Sequence, residues 1–373
     1  MAGIEHHAHE AFDIRRHLHT GQVIPAHPLA LHPTRAMDEQ HQRALTRYYV
    51  AAGAGGMAVG VHTTGFPIHD ATIGLYRPVL ELAAETADEA LRRDPRPFVR
   101  VAGLIGDTAQ AVREAQIAQA LGYHCGLLSL GAWRDASETA ILAHCARVAD
   151  VMPLFGFYLQ PAVGGRRLSY TFWREFAEIQ NVVAIKVAPF DRYATLDVVR
   201  ALADAGRDDV ALYTGNDDAI VPDLVTDVPV TSGGRAYTRH FVGGLLGQWA
   251  VWTSRAVEML REIQRWRASG ADTMPREWLT RGAALTMANA VIFDAAHGYQ
   301  GCLPGILEIL RLQGLVRGTW TFDTHEQLSP GQGEALARLS EQYPDLADDD
   351  FVAERLDGFL ARDAVCALWF LHR

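Results

Sequence analysis

Val182-Val183-Ala184-Ile185-Lys186-Val187-Ala188 sets a single amine inside an apolar run, and the reading of the whole chain turns on it. Lys186 is the only lysine among 373 residues, whereas arginine occurs throughout. Arginine stays protonated in proteins, but a lysine in apolar surroundings can lose its proton and attack a carbonyl carbon. The run reads as a buried strand of a parallel sheet, where desolvation disfavours the ammonium form, so Lys186 is a candidate nucleophile. The competing reading is a lysine held in a structural ion pair.

Working outward, seven further apolar runs have the same character: Val23 to Leu31, Gly56 to Val61, Phe98 to Leu104, Cys125 to Leu130, Pro153 to Tyr158, Val210 to Thr214 and Val228 to Ser232. Amphipathic segments separate them, including Asp38 to Ala52, Asp107 to Leu121, Ser137 to Ala149, Ser169 to Gln180 and Leu196 to Ala205. Asp107 and Ser169 suit helix starts, because their side chains accept free amide hydrogens there. Eight such units predict an α/β fold, a (β/α)8 TIM barrel over residues 22–240, with its site at the carboxyl ends of the strands. Residues 1–21 form a polar N-terminal segment. Residues 241–373 lose the strand signal and read as an all-helical C-terminal extension, in which the Trp249 and Trp252 region is either a candidate subunit contact or internal packing. Asp348 to Asp350 read as a solvated turn, and the apolar Ala364 to Leu371 stretch as a docking segment.

A formal net charge of −10 argues against nucleic acid or an anionic membrane as the main partner. No run approaches the ~18 apolar residues of a membrane span, and the first 22 residues lack the apolar core of a signal peptide, so the expected location is the cytoplasm. Cys125, Cys145, Cys302 and Cys366 have no metal-type spacing and read as reduced packing residues. The histidines near the start (His6, His7, His9, His17, His19) match no defined zinc site. No metal and no cofactor are expected.

Several short motifs, in order, resemble the class I aldolase superfamily that includes dihydrodipicolinate synthase and N-acetylneuraminate lyase. His62-Thr63-Thr64-Gly65 resembles its Gly-Thr-Thr-Gly loop, and Phe157-Tyr158-Leu159-Gln160-Pro161 its Tyr-Asn-x-Pro strand. Ala184-Ile185-Lys186 resembles the Schiff-base strand, and Gly215-Asn216-Asp217 its Gly-Asp-Asp turn. The resemblance implies that Lys186 condenses with the ketone of pyruvate or another 2-oxo acid, giving an iminium that serves as electron sink. It implies Tyr158 as general acid and base, and Thr63, Thr64 and Gly65 as holders of the substrate carboxylate. Ser232 and Gly233 would close the pocket floor, and a homodimer or homotetramer is expected by analogy.

The departures matter as much. Ser129 to Trp133 stand where the synthase has a tyrosine pair, Val163 where it has a carboxylate-gripping arginine, Phe66 in place of glutamate and His62 in place of glycine. The expected activity is therefore a lyase (aldolase, dehydratase or hydratase) other than a typical dihydrodipicolinate synthase. Its pocket would be more apolar, lined by Phe66, Trp133 and His27, and suited to an aromatic or bulkier electrophile. Arg235, Arg166 or Arg167 would replace the missing carboxylate anchor. The alternative is a non-catalytic protein that binds a 2-oxo acid or metabolite on the same fold.

Overall fold

Strands that are apolar on both sides are stable only where both faces are covered, and here the chain rolls them into a closed sheet ringed by helices. The computed structural model describes residues 12–361. Its barrel strands are β1 (Val23–Pro25), β2 (Gly56–Val59), β3 (Val99–Leu104), β4 (Cys125–Leu128), β5 (Leu154–Leu159), β6 (Val182–Ala188) and β7 (Ala211–Thr214). An antiparallel hairpin follows, β8 (Val228–Ser232) with β9 (Arg235–Arg239), and then β10 (Gly243–Leu246). The parallel order is β1-β10-β7-β6-β5-β4-β3-β2, and an Ala26–Ala58 bridge between the first two strands closes the ring.

The eighth barrel strand is therefore β10, and Val228 to Ser232 lies outside the barrel. The hairpin's own sequence explains this. Buried and exposed residues alternate along β8, which suits a sheet covered on one face only. Gly233 and Gly234 supply the positive φ values, 54° and 75°, that a two-residue hairpin turn demands. The true strand is hard to recognise because Gly243 and Gly244 weaken its signal. Both are needed there: a Cβ on Gly243 would come within 2.4 Å of the Gln22 carbonyl oxygen, and one on Gly244 within 2.7 Å of the Trp249 ring. The barrel thus extends past residue 240 to Leu246.

Four of the outer helices start close to where expected, and the one expected from Leu196 begins four residues earlier, at Arg192. Asp38, Asp107, Ser137, Ser169 and Asp191 each accept an amide hydrogen of the first turn of α2 (Glu39–Ala51), α4 (Thr108–Ala120), α5 (Glu138–Ala149), α6 (Tyr170–Phe176) and α7 (Arg192–Asp204). The ring also includes α3 (Tyr76–Arg93), α8 (Ile220–Val225) and α9 (Thr253–Ala268), the last packing on β1 and α8. The segment expected to be merely polar carries α1 (Ile14–His19). Its Leu18 is fully buried, and the Tyr213 hydroxyl donates to the Leu18 carbonyl at 2.8 Å, plugging the amino-terminal end of the barrel. The other expected histidines at the start, with Cys366 and Ala364 to Leu371, fall outside the described residues.

The extension proper consists of α10 (Glu277–Ile292), α11 (Cys302–Leu312) and short helices up to Leu360. It packs over α2 and α8 and covers the carboxyl-terminal mouth of the barrel. Trp249 and Trp252 are buried inside the chain rather than offered as a surface contact. Asp348 is likewise no solvated turn. It is buried and accepts from the Tyr48 hydroxyl (2.8 Å), the Ser254 amide (3.1 Å) and the Gln313 side chain (2.8 Å), fastening the extension to the barrel. No described helix is long and apolar enough to cross a membrane.

Gly243→Ala is expected to cost about 1–3 kcal/mol through overpacking against backbone that cannot retreat. A depressed melting temperature would show it, whereas an unchanged one would mean that β10 tolerates a side chain there.

Candidate active site

A chamber of about 60 Å3 opens at the carboxyl ends of the strands, beside Lys186. That is several times the ~10–15 Å3 a single water needs. Lys186 and Ala188 of β6 face it, with Phe157 and Leu159 of β5, His62 and Thr63 after β2, Gly215 and Asp217 after β7, and Phe293, Tyr299, Cys302 and Ile306 from the extension. Lys186 is buried, and among the described residues no carboxylate lies within ion-pairing distance of it, so its amine is neither in bulk water nor clamped by any of them. Removal from water pushes its pKa well below the ordinary lysine value, and the Asp217 charge opposes part of that shift. The same desolvation pushes the Asp217 carboxyl up, with Lys186 pulling it back.

Three features hold the amine in place. Its Nζ stands 4.5 Å from the centroid of the Phe157 ring, a cation–π contact that favours positive charge on this nitrogen. Gly215 leaves the space the side chain occupies, since a Cβ there would come within 2.7 Å of Lys186 Cε. Asp217 is fixed in turn: its Oδ1 accepts from the Gln248 amide at 3.1 Å, and its carbonyl accepts from Asn289 of α10 at 2.7 Å. Asn216 points away from the chamber, bonding Thr195, Asp223 and the Phe190 amide, and so braces the Gly215-Asn216-Asp217 turn from behind.

Tyr158 is not in the chamber. In β5 the residues paired with the inward positions Lys186 and Ala188 are Phe157 and Leu159, while Tyr158 pairs with Val187 and points outward. Its ring packs on Trp173 with centroids 5.2 Å apart, and its hydroxyl meets both the amide and the carbonyl of Leu168. The β5–β6 register shifts by one residue next to Leu154, where Val183 of β6 is the extra residue, so the facing of Lys186 is set on β6 while β5 alternates without a break.

The Thr-Thr-Gly loop is only partly available. Thr63 lines the inner chamber, and its amide and that of His62 open a 3-10 turn in which neither has an internal acceptor. The Thr64 hydroxyl accepts from the amides of Gly60 and Val61 and donates to the His27 carbonyl, so it braces the loop rather than facing a ligand. The Thr64 and Gly65 amides are taken by Val61 and His62. Ser232, Gly233 and Arg235 form the outlying hairpin turn and take no part in the site. Arg166 bonds the carbonyls of Trp133 and Ala136, and Arg167 bonds Asp191, so neither replaces the missing anchor. His27 is buried between Pro28 and Thr46, and Trp133 stacks on His144, both away from the chamber. Phe66 does line the space, in a second, outer chamber of about 220 Å3.

The outer chamber shares His62, Thr63 and Val163 with the inner one and is walled by Leu303, Leu307, Trp320, Phe322, Asp323 and Glu326 of the extension. Neither lining includes an arginine, and Lys186 is the one lysine. His62 is held neutral by burial, its pKa lowered to about 4. The residues that sequence reasoning missed are mostly those of the extension, Tyr299 and Cys302 above all, because no local motif marks a side chain that reaches a site from another layer. Asp217 was visible as part of a motif but without a role.

This geometry sets one buried amine beside a chamber at the carboxyl ends of a barrel's strands. No family model matches the chain. Among curated proteins it is similar to 4-hydroxy-tetrahydrodipicolinate synthase of Clostridium perfringens, 29% identical over 119 residues (32% of this chain, 40% of that protein). The enzyme of the same name from Bifidobacterium longum is 26% identical over 208 residues, 55% of this chain and 63% of that protein. The matches thus span less than two thirds of these relatives. Among solved structures, a prophage protein of the dihydrodipicolinic acid synthase family from E. coli K12, in complex with pyruvate, superposes with a TM-score of 0.67 at 17% identity, over 86% of this chain and 98% of that one. N-acetylneuraminate lyase from Fusobacterium nucleatum, complexed with pyruvate, gives 0.64 at 16%, over 87% and 97%. The chain thus shares its fold with these structures and, at low identity, is similar in sequence to the dihydrodipicolinate synthases.

The direction of the Lys186 shift is open to direct measurement. Because Lys186 is the only lysine, acylation by a small anhydride can be followed at one side chain by peptide mass spectrometry across pH. Its rate should rise with pH through an inflection below the ordinary lysine value of 10.5. Asp217→Asn removes a charge that raises the pKa, so the inflection should move further down; an upward move would show that Asp217 does not act on the amine.

Proposed function

We propose that this protein is a Schiff-base-forming lyase acting on pyruvate or another 2-oxo acid through Lys186. The single observation that carries the reading is the buried, unclamped amine of Lys186 facing a chamber lined by Asp217 and Thr63. The neutral amine attacks the ketone carbon of the 2-oxo acid, and the oxygen leaves as water, giving an iminium on Lys186. Asp217 balances the new positive charge, and the Phe157 face favours it. The amides of His62 and Thr63, with the Thr63 hydroxyl, are the donors we assign to the substrate carboxylate, in place of the broader Thr63, Thr64 and Gly65 set. The iminium then draws the electrons of a C3 bond into an enamine, whose carbon attacks a carbonyl acceptor; the same steps in reverse cleave an aldol.

The outer chamber argues for the acceptor. Phe66, Trp320, Phe322, Leu303 and Leu307 offer apolar area, Asp323 and Glu326 supply negative charge, and among the described residues no lysine or arginine lines the walls there. A second carboxylate would meet like charge and find no partner. The acceptor we propose is an uncharged, ring-bearing aldehyde, which sets the reaction apart from a typical dihydrodipicolinate synthase. One observation favours the non-catalytic alternative: the inward position of β5 carries Phe157 and no phenol.

Pyruvate with borohydride should add a reduced pyruvyl group to the protein, and Lys186→Ala should abolish it. No mass gain with any 2-oxo acid, or a gain that survives the substitution, would overturn the Schiff-base reading. Adduct formation without turnover of any aldehyde would favour the binding protein. As a matched pair, 4-methylbenzaldehyde should be consumed with pyruvate at least about tenfold faster than 4-formylbenzoate, a difference of about 1.4 kcal/mol. Equal rates would remove the argument from charge.

A further inference from the structure

Enamine formation needs a group that moves protons at the substrate, and the β5 phenol that the sequence offers for this points out of the barrel. One other tyrosine reaches the chamber: Tyr299, from the loop between α10 and α11. Its backbone sits at φ +70°, a conformation rare for a bulky side chain and found where surrounding structure imposes it. Here the imposition is visible. Asp294, itself at φ +56°, accepts the Tyr299 amide on its carbonyl at 3.0 Å, and its carboxylate takes the Gly301 amide, the Ser329 hydroxyl and His297. A loop tied down this thoroughly, at the expense of two left-handed residues, carries the Tyr299 ring to the wall next to Phe190, with centroids 6.1 Å apart and near right angles. The phenol lies beside the Gln160 side chain, at the rim where β5 ends.

We infer that Tyr299, supplied by the helical extension, is the proton-transferring residue of this site in place of the strand tyrosine. The inference rests on the Schiff-base reading of Lys186. Tyr299 donates its phenolic proton to the carbinolamine oxygen as the C2–O bond breaks and water leaves, while the nitrogen lone pair forms the C=N bond. The phenolate left beside the iminium then takes a proton from C3. The C3–H electron pair becomes the C2=C3 bond, the C=N π pair returns to nitrogen, and Tyr299 is again a phenol. Atoms and charge balance with no further reactant. Burial raises the pKa of Tyr299, so the proton donor is its resting form, and Asp217, Asp218 and Cys302 nearby add to that effect.

The test needs no acceptor. In D2O, enamine formation exchanges the methyl protons of pyruvate, which NMR follows on the whole protein, while borohydride reports the end-point adduct on Lys186. Tyr299→Phe, which keeps the ring, should lower the exchange rate by about 10²–10⁴-fold, the usual span for a lost acid–base group, yet still reach the full adduct on long incubation. Tyr158→Phe should leave exchange unchanged. Exchange by Tyr299→Phe within about threefold of the unsubstituted protein, loss of exchange in Tyr158→Phe, or a Tyr299→Phe protein that never forms the adduct would each overturn the assignment. Absence of the adduct in the unsubstituted protein is a separate result and refutes the Schiff-base reading itself.

Discussion

Taking one ammonium group out of water is the constraint around which this site is built. An isolated charge in the middle of a closed sheet is expensive, and proteins meet that cost by pairing the charge or by letting it neutralise. Here both routes are partly open. Asp217 is close enough to act on Lys186 electrostatically but does not form an ion pair with it, so the amine is stabilised without being locked as ammonium. The arrangement depends on Gly215, whose missing side chain makes room for the Lys186 stem, and on the Asn216, Thr195 and Asp223 bonds that hold the turn. At the opposite end of the barrel, α1 closes the opening with the buried Leu18.

The helical extension changes what such a barrel can recognise. By roofing the mouth it converts an open depression into two adjoining chambers, the inner one holding the amine and the outer one carrying aromatic and acidic walls. Its attachment is polar as well as apolar: Asp348 joins α2, α9 and the residue that follows α11 through hydrogen bonds, and Asn289 reaches back to the Asp217 carbonyl. Shifts in the extension would therefore be felt at the counter-charge of Lys186.

Much of this was legible from residues alone. Lys186 stood out because it is the only lysine and its neighbours are apolar, and both facts are local. Seven of the eight barrel strands could be read for the same reason, as could the helix starts at Asp107 and Ser169, where side chain and amide lie three residues apart. The eighth strand was misplaced because two glycines hide β10, while β8 has the alternation of a strand without the burial of a barrel. In the Thr-Thr-Gly loop, Thr63 and Thr64 look equivalent as letters, and only the structure separates the one that lines the chamber from the one that braces the loop.

The sequence by itself determined the class of fold, the singular Lys186 that we propose as nucleophile and the valine where the resemblance would place a carboxylate-gripping arginine, since each is set by residue type or by short periodicity. The tertiary structure alone decided which side chains share the chamber. The pairing of β5 with β6 sets Phe157 and Leu159 beside the inward Lys186 and Ala188 and leaves Tyr158 outward, and a loop more than a hundred residues away brings Tyr299 to the opening. Neither has a local signature, because facing depends on pairing between strands and proximity depends on how distant layers pack.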